Sequence, residues 1–399
     1  MTFITEFNNI MWGWVLAVIL LGTGLLYGIT MGFPQVRCFG HIIRSLKSTL
    51  KSDEGSVSGF AALCAAVGGQ VGTGSLVGVA SALAAGGPGA LFWMWITAVF
   101  GMVLSFGEAT LGQVFHEKDK DGNYYGGSPY YMTKGLGNKP LAIAYAITTI
   151  FAVGVCIAML QNNSITSAVT GVVNISPWIP GIIVTIITAV IVLGGVKRIT
   201  DAASLIVPFM AVGYILITII IIITHLSEVP AMFGTFMTTI IICSCTGFAI
   251  LLTGALESGQ DGVNLVQAAF SSMLGQVGSY FVLLVTFLFC FTTLIADLFY
   301  GEVGVRYLFK GSANGADKAV KVFQVIALIL VTIGAALPLP VLWDLVDFCV
   351  AFLVFFNVYA LLRLRKYVKY VLDDYLMQFN RGKSEPVWDE SVDITEKCK

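Results

Sequence analysis

Apolar runs of span length follow one another along almost the whole chain, separated by short polar connections. Their spacing predicts membrane-crossing helices at about 11–30, 58–84, 89–114, 141–172, 179–196, 203–225, 232–256, 268–299, 319–336 and 341–362. Each reaches the roughly 18 residues that a helix needs to cross the hydrocarbon core. Alternating segments of about ten residues, the mark of an outer-membrane barrel, do not occur. The pattern therefore predicts an all-α polytopic membrane protein with about ten spans. The runs 141–172 and 268–299 exceed one crossing and are expected to tilt or project beyond the lipid.

Basic residues assign sides to these spans, because Lys and Arg are retained on the cytoplasmic face. Arg37, Arg44, Lys47 and Lys51 fall in one connection, Lys118, Lys120, Lys134 and Lys139 in a second, and Lys197 with Arg198 in a third. Even numbers of spans separate them, so all three share the cytoplasmic face and the N-terminus is predicted outside. Ten spans then place Arg306, Lys310, Lys318 and Lys321 outside, together with Arg363, Arg365, Lys366 and Lys369. One further crossing between Asp201 and Arg306 restores the rule everywhere. The chain reads as one crossing short; the alternative is that 232–256 is a re-entrant segment.

Composition agrees with the lipid setting. Of 399 residues 57% are hydrophobic and 11% charged, against about 25% charged in soluble domains. A net charge of −1 offers no basic surface, and no nucleic-acid partner is expected. The eight cysteines are scattered without metal-ligand spacing and read as small apolar packing residues. The first apolar run has no basic residue before it and no small-residue cleavage site, so it is expected to be retained.

The glycines are harder to place in helices. Gly68 to Gly89 contains eight of them, each weakening a helix interior by about 1 kcal/mol relative to alanine. Two readings stand. Small residues four apart, such as Gly68 with Gly72 and Gly74 with Gly78, let helices pack closely. Alternatively the helix unwinds in mid-membrane, where a break offers free N–H groups to an anion and free carbonyls to a cation. Gln70, Thr73 and Ser75, interleaved with the glycines, favour the break. GGQVGTGS also mimics a phosphate-binding loop, but Ser75 replaces its lysine and no βαβ unit surrounds it.

At these residues the chain resembles the alanine or glycine:cation symporter family. The likeness runs through VGTGSLVGVASALAAGGPGALFWMW, Glu108-Ala109-Thr110-Leu111, residues 117–137, Gln161-Asn162-Asn163-Ser164, GGVKRI at 194–199 and FCFTTLIADLFYGE at 289–302. It implies a leucine-transporter-like inverted repeat with an extra N-terminal helix. The expected division is residues 1–57 for that helix and its cytoplasmic connection, 58–226 for a first repeat, 227–362 for an incomplete second repeat and 363–399 for a cytoplasmic tail. Sodium-coupled transport of small neutral amino acids across the cell membrane is implied, with Na+ as coupling ion, the lipid bilayer as surroundings and no enzymatic chemistry.

The resemblance also implies a site. Gln70, Gly72, Thr73 and Gly74 are expected to receive the substrate carboxylate, with Asn163 and Trp343 beside it. Gly68, Val71, Ser75, Thr292 and Thr293 are expected around sodium, which prefers oxygen ligands. Structural alternatives remain for three of these: helix bridging for Asn163, an interfacial position for Trp343, and back-bonding to the preceding turn for the threonine pair. Glu108, inside a span, is expected to be functional unless it snorkels.

Three positions depart from the family pattern: Ser75 replaces Asn, Asp297 stands in a position that is uncharged in the family, and Phe356 replaces a Pro. After Met237 the segment opening the second repeat, a discontinuous helix with Ser-Asn-Glu-Ala-Gly, has no counterpart. The expectation is a carrier with weak or no transport. The alternative is a non-transporting membrane protein, either a degenerate carrier or an amino-acid-binding sensor.

Overall fold

Thirteen principal helices and one small hairpin make up what the computed structural model describes, namely residues 2–42, 44, 59–118, 124–224, 238–311, 313–383, 388–389, 392 and 394–397. Lys47, Lys51, Lys120, Met237, the first residues of the expected 232–256 span and the end of the tail lie outside them. The helices are α1 Thr2–Met31, α2 Gly59–Gln70, α3 Gly74–Gly86, α4 Gly89–Val114, α5 Ser128–Lys134, α6 Lys139–Thr170 and α7 Trp178–Val192. They continue as α8 Val196–Thr224, α9 Thr238–Leu252, α10 Gly262–Leu274, α11 Gln276–Leu308, α12 Ala313–Gly334 and α13 Leu339–Asn380. Strands Glu117–Lys118 and Tyr124–Tyr125 pair antiparallel between α4 and α5. The helical, membrane-protein reading of the sequence holds. Among the described residues six helices are long and apolar enough to cross a membrane, seven if α2 and α3 form one bent span.

Helix ends follow local chemistry. Asn138 caps α6 by accepting the Leu141 N–H, and Asp261 caps α10 by accepting that of Gly262. One expected span is corrected. The run 268–299 divides at Gly275, whose φ of +59° is a left-handed conformation that favours glycine. Residues up to Leu274 belong to α10, and the crossing helix is α11, Gln276–Leu308.

α11 is the central post, buried along most of its length and packed against α2, α6, α8, α10 and α12. Glycines let α6 reach it: a Cβ on Gly301 would stand 2.8 Å from Gly154 Cα. Such small-residue contacts replace the hydrophobic effect as the adhesive between helices in lipid.

Side-chain pairs set the helix directions. Lys310 meets Glu117 at 3.4 Å, and Lys134 meets the same carboxylate at 3.5 Å. The ends of α4 and α11 therefore share one basic face with α5. Met210 meets Thr292, while Tyr214, farther along α8, stacks near Phe289 and Phe281. Hence α8 runs antiparallel to α11, away from the basic face. Trp95 bonds Ser244, and Gly247 abuts Leu91, so α9 runs antiparallel to α4 and also away from the basic face. The consecutive helices α8 and α9 point the same way. In α1, Thr5 and Asn8 bond Asp344, and Tyr27 bonds the Leu361 carbonyl, so α1 runs alongside α13 toward the basic face.

Candidate functional site

The glycine-rich span is broken. α2 ends at Gln70, α3 begins at Gly74, and their axes differ by 46°. Only Val71 and Gly72 leave the helix, a shorter break than the expected 68–75. The reason for glycine at its centre is spatial. A Cβ on Gly72 would lie 2.4 Å from Thr293 Oγ1 and 2.8 Å from Gln161 Oε1, so α6 and α11 close directly on the backbone.

The polar groups of the break are answered from those two helices. The Thr73 N–H donates to Gln161 Oε1 at 2.9 Å, and its hydroxyl donates to the same oxygen at 2.6 Å. Ser164 and Cys290 stand 3.2 and 3.3 Å from the Thr73 hydroxyl. Thr293 Oγ1 donates to the Gly68 carbonyl at 2.7 Å. An unpaired amide here would cost about 1–3 kcal/mol, and Gln161 removes that cost by imitating a carboxylate oxygen.

Not every expected residue reaches this place. Gly68, Gly72, Thr73 and Thr293 converge, and Val71 is buried beside them. Thr292 turns its hydroxyl back to the Leu288 and Phe289 carbonyls of its own helix. Ser75 is buried, and its carbonyl accepts from Thr246 on α9. Gln70 and Gly74 are exposed, and a Cβ on Gly74 would meet no atom within 4 Å. Trp343 packs against two of the three core clusters, its ring 3.9 Å from the Cβ position of Gly78, with its indole N–H buried and unpaired.

Asn163 bridges helices. Its Nδ2 donates to the carbonyls of Gly334 at 3.0 Å and Leu337 at 2.8 Å, closing the end of α12. Asn163→Ala is expected to lower stability by about 1–3 kcal/mol through unpaired carbonyls, with amino-acid affinity unchanged. Thermal unfolding in detergent alongside a binding isotherm separates the two effects.

The residues that sequence reasoning missed are Gln161, Ser164 and Cys290. The available signal was the polar run Gln161–Ser164 inside an apolar helix, where positions three apart share one face. Glu108 is hydrogen-bonded rather than snorkelling: Asn357 donates to it at 2.5 Å and Tyr131 donates to Asn357 at 2.5 Å. It lines a cavity of about 730 Å3 on the basic side, whose walls include Ser128, Tyr145, Thr149 and Tyr300.

A crossing helix broken at mid-length, with amide and carbonyl groups turned toward polar side chains, is how secondary transporters hold zwitterions and cations. The chain is a cation-coupled amino-acid transporter and not an enzyme. It belongs to the sodium:alanine symporter family, whose model matches residues 1–235 and 231–390. Similar proteins include YrbD of Bacillus subtilis (strain 168), provisionally named a sodium/proton-dependent alanine carrier. It is 32% identical over 97% of this chain and 94% of its own. The amino-acid carrier protein AlsT of the same organism is 29% identical over 91% and 90%. The sodium/alanine symporter AgcS of Methanococcus maripaludis is 29% identical over 85% and 89%. The YrbD alignment occupies 462 positions, more than the 399 residues present here, so YrbD carries residues without a counterpart in this chain.

Proposed function

We propose that the chain is built on a sodium-coupled carrier of alanine or glycine in the cell membrane, basic face inward and N-terminus outside. The observation that carries this reading is the Gln161 oxygen held by the Thr73 N–H and hydroxyl. A substrate carboxylate offers the same oxygen chemistry and would take the place of the amide side chain. Sodium, carried as cargo, would sit where the Gly68 carbonyl and Thr293 hydroxyl converge beside Val71. Oxygen donors of this kind suit a hard cation. Binding of the cation would stiffen the break and so favour the substrate.

We further infer that the second repeat lacks its opening helix and that net transport is weak or absent. What supports this is geometric. α8 and α9, consecutive among the described helices, run in the same direction, which an uninterrupted series of crossings does not allow. The family match in two pieces meeting at residues 231–235 and the open space beside Gln70 and Gly74 among the described residues point the same way. A binding protein without flux, a sensor or a degenerate carrier, is the second reading favoured by that open space.

The test is reconstitution beside AgcS in liposomes. Sodium-dependent alanine or glycine binding without comparable uptake is the expected result. Uptake matching that of AgcS would overturn the missing-helix reading, and absence of both binding and uptake would leave only a degenerate product.

A further inference from the structure

Two acidic side chains are buried in α11 between the break and the basic face; Glu302 is paired with Arg306 and Gln324, whereas Asp297 has no such partner and is not used by the site described above. It is 3% exposed, and its Oδ2 is buried without a hydrogen-bond partner. Its neighbour from α6 is Gln161, whose Oε1 holds Thr73. Asp297 is thus one side chain removed from the break, on the side toward the basic face. No lysine, arginine or histidine bonds it among the described residues. The titratable groups that feel its charge are Tyr300 and Cys290, both on α11; Gln161, reaching it from α6, does not titrate.

A cavity reaches the next turn of α11. Tyr300, one turn along from Asp297, is 38% exposed and lines the cavity that Glu108, Tyr145 and Thr149 also border. The Tyr300 hydroxyl stands 2.7 Å from the position a Cβ on Gly69 would take, so the cavity ends against the helix that breaks. A buried carboxylate with one unpartnered oxygen carries a desolvation cost that a single neutral amide only partly offsets. A proton removes the charge and supplies a donor.

We propose that Asp297 is a proton site of this carrier, loaded from the basic-side cavity past Tyr300. In the step, a hydronium ion in the cavity gives H+ to Oδ2 and becomes water, converting the carboxylate to the acid; release reverses it. Gln161 links the two states to the break. Its amide N–H donates to the ionised carboxylate, so deprotonation fixes the Gln161 side chain with Oε1 on Thr73. The proposal rests on the carrier reading for its consequence in transport, but the proton site itself does not require flux.

Infrared difference spectra recorded while purified protein is titrated test the site first. Wild type is expected to show a carboxylic-acid carbonyl band that appears on acidification, is lost in Asp297→Asn and is shifted in Asp297→Glu. The same band in Asp297→Asn as in wild type would overturn the proposal, as would its absence from folded wild type throughout the titration. Purified protein in weakly buffered indicator solution then tests coupling. Alanine binding is expected to shift the pH with wild type, with loss of that shift in Asp297→Asn. An Asp297-dependent band without any sodium-dependent alanine binding in wild type would uphold the proton site and defeat the carrier reading instead.

Discussion

Gly72→Ala is expected to dismantle the site without removing any polar group. The new methyl carbon would lie 2.4 Å from Thr293 Oγ1, 2.7 Å from Thr293 Cβ and 2.8 Å from Gln161 Oε1. Two of these atoms lie on β-branched Thr293, which has little rotamer freedom in a helix. Relief therefore requires α11 or α6 to move. α11 is the most buried helix of the fold, so the displacement spreads. Overpacking of this kind costs about 1–3 kcal/mol. It also pulls Thr293 from Gly68 and Gln161 from Thr73. The expected outcome is a lower unfolding temperature in detergent and loss of sodium-dependent alanine binding. Gly101→Ala in α4, where a Cβ meets nothing within 4 Å, serves as the control and should change neither. A Gly72→Ala variant that binds alanine as well as wild type would show that the close approach has no role in the site.

The second large effect separates two neighbouring threonines. Thr293→Val keeps the shape and removes the hydroxyl that holds Gly68. It leaves that carbonyl unpaired at about 1–3 kcal/mol and deletes an oxygen from the proposed sodium position. Thr292→Val removes a hydroxyl that serves only its own helix turn, apart from a weak contact to Met210 Sδ at 3.8 Å. Any ligand that binds only the folded state raises its stability by mass action, so sodium should raise the unfolding temperature of wild type. Thr292→Val is expected to keep that rise and Thr293→Val to lose it. Equal loss in both would return the threonines to a shared cation site. Retention in both would remove sodium from this position.

Where each threonine points was not legible in the sequence. Adjacent helical residues differ by about 100° around the axis, so at most one of Thr292 and Thr293 faces a given neighbour squarely. Which one does so depends on the rotation of α11 against α2. Asn163 presents the same problem. It is polar, central and next to Gln161, but the rotation of α6 sends it to α12 and leaves Gln161 at the break. Gly275 is a third case. A glycine in a long apolar run is compatible with a continuous helix or a turn, and only the docking of α10 on α11 selects the turn.

The amino-acid sequence alone determined that the chain lies in lipid as a set of helices, since run length and scarcity of charge leave no other way to bury so much apolar surface. It also determined where a helix would break, because glycine clustered with short polar residues has no better use inside a span. Its basic residues further marked connections that the fold brings to one face, as Glu117 with Lys134 and Lys310 shows. Tertiary structure alone decided which side chain answers the broken backbone, which polar residues serve only as braces, and that Asp297 lies one side chain from the site. The physical reason is that hydropathy acts through composition along the chain, whereas hydrogen bonds act through direction. Direction is set only when helices have chosen their rotation against one another.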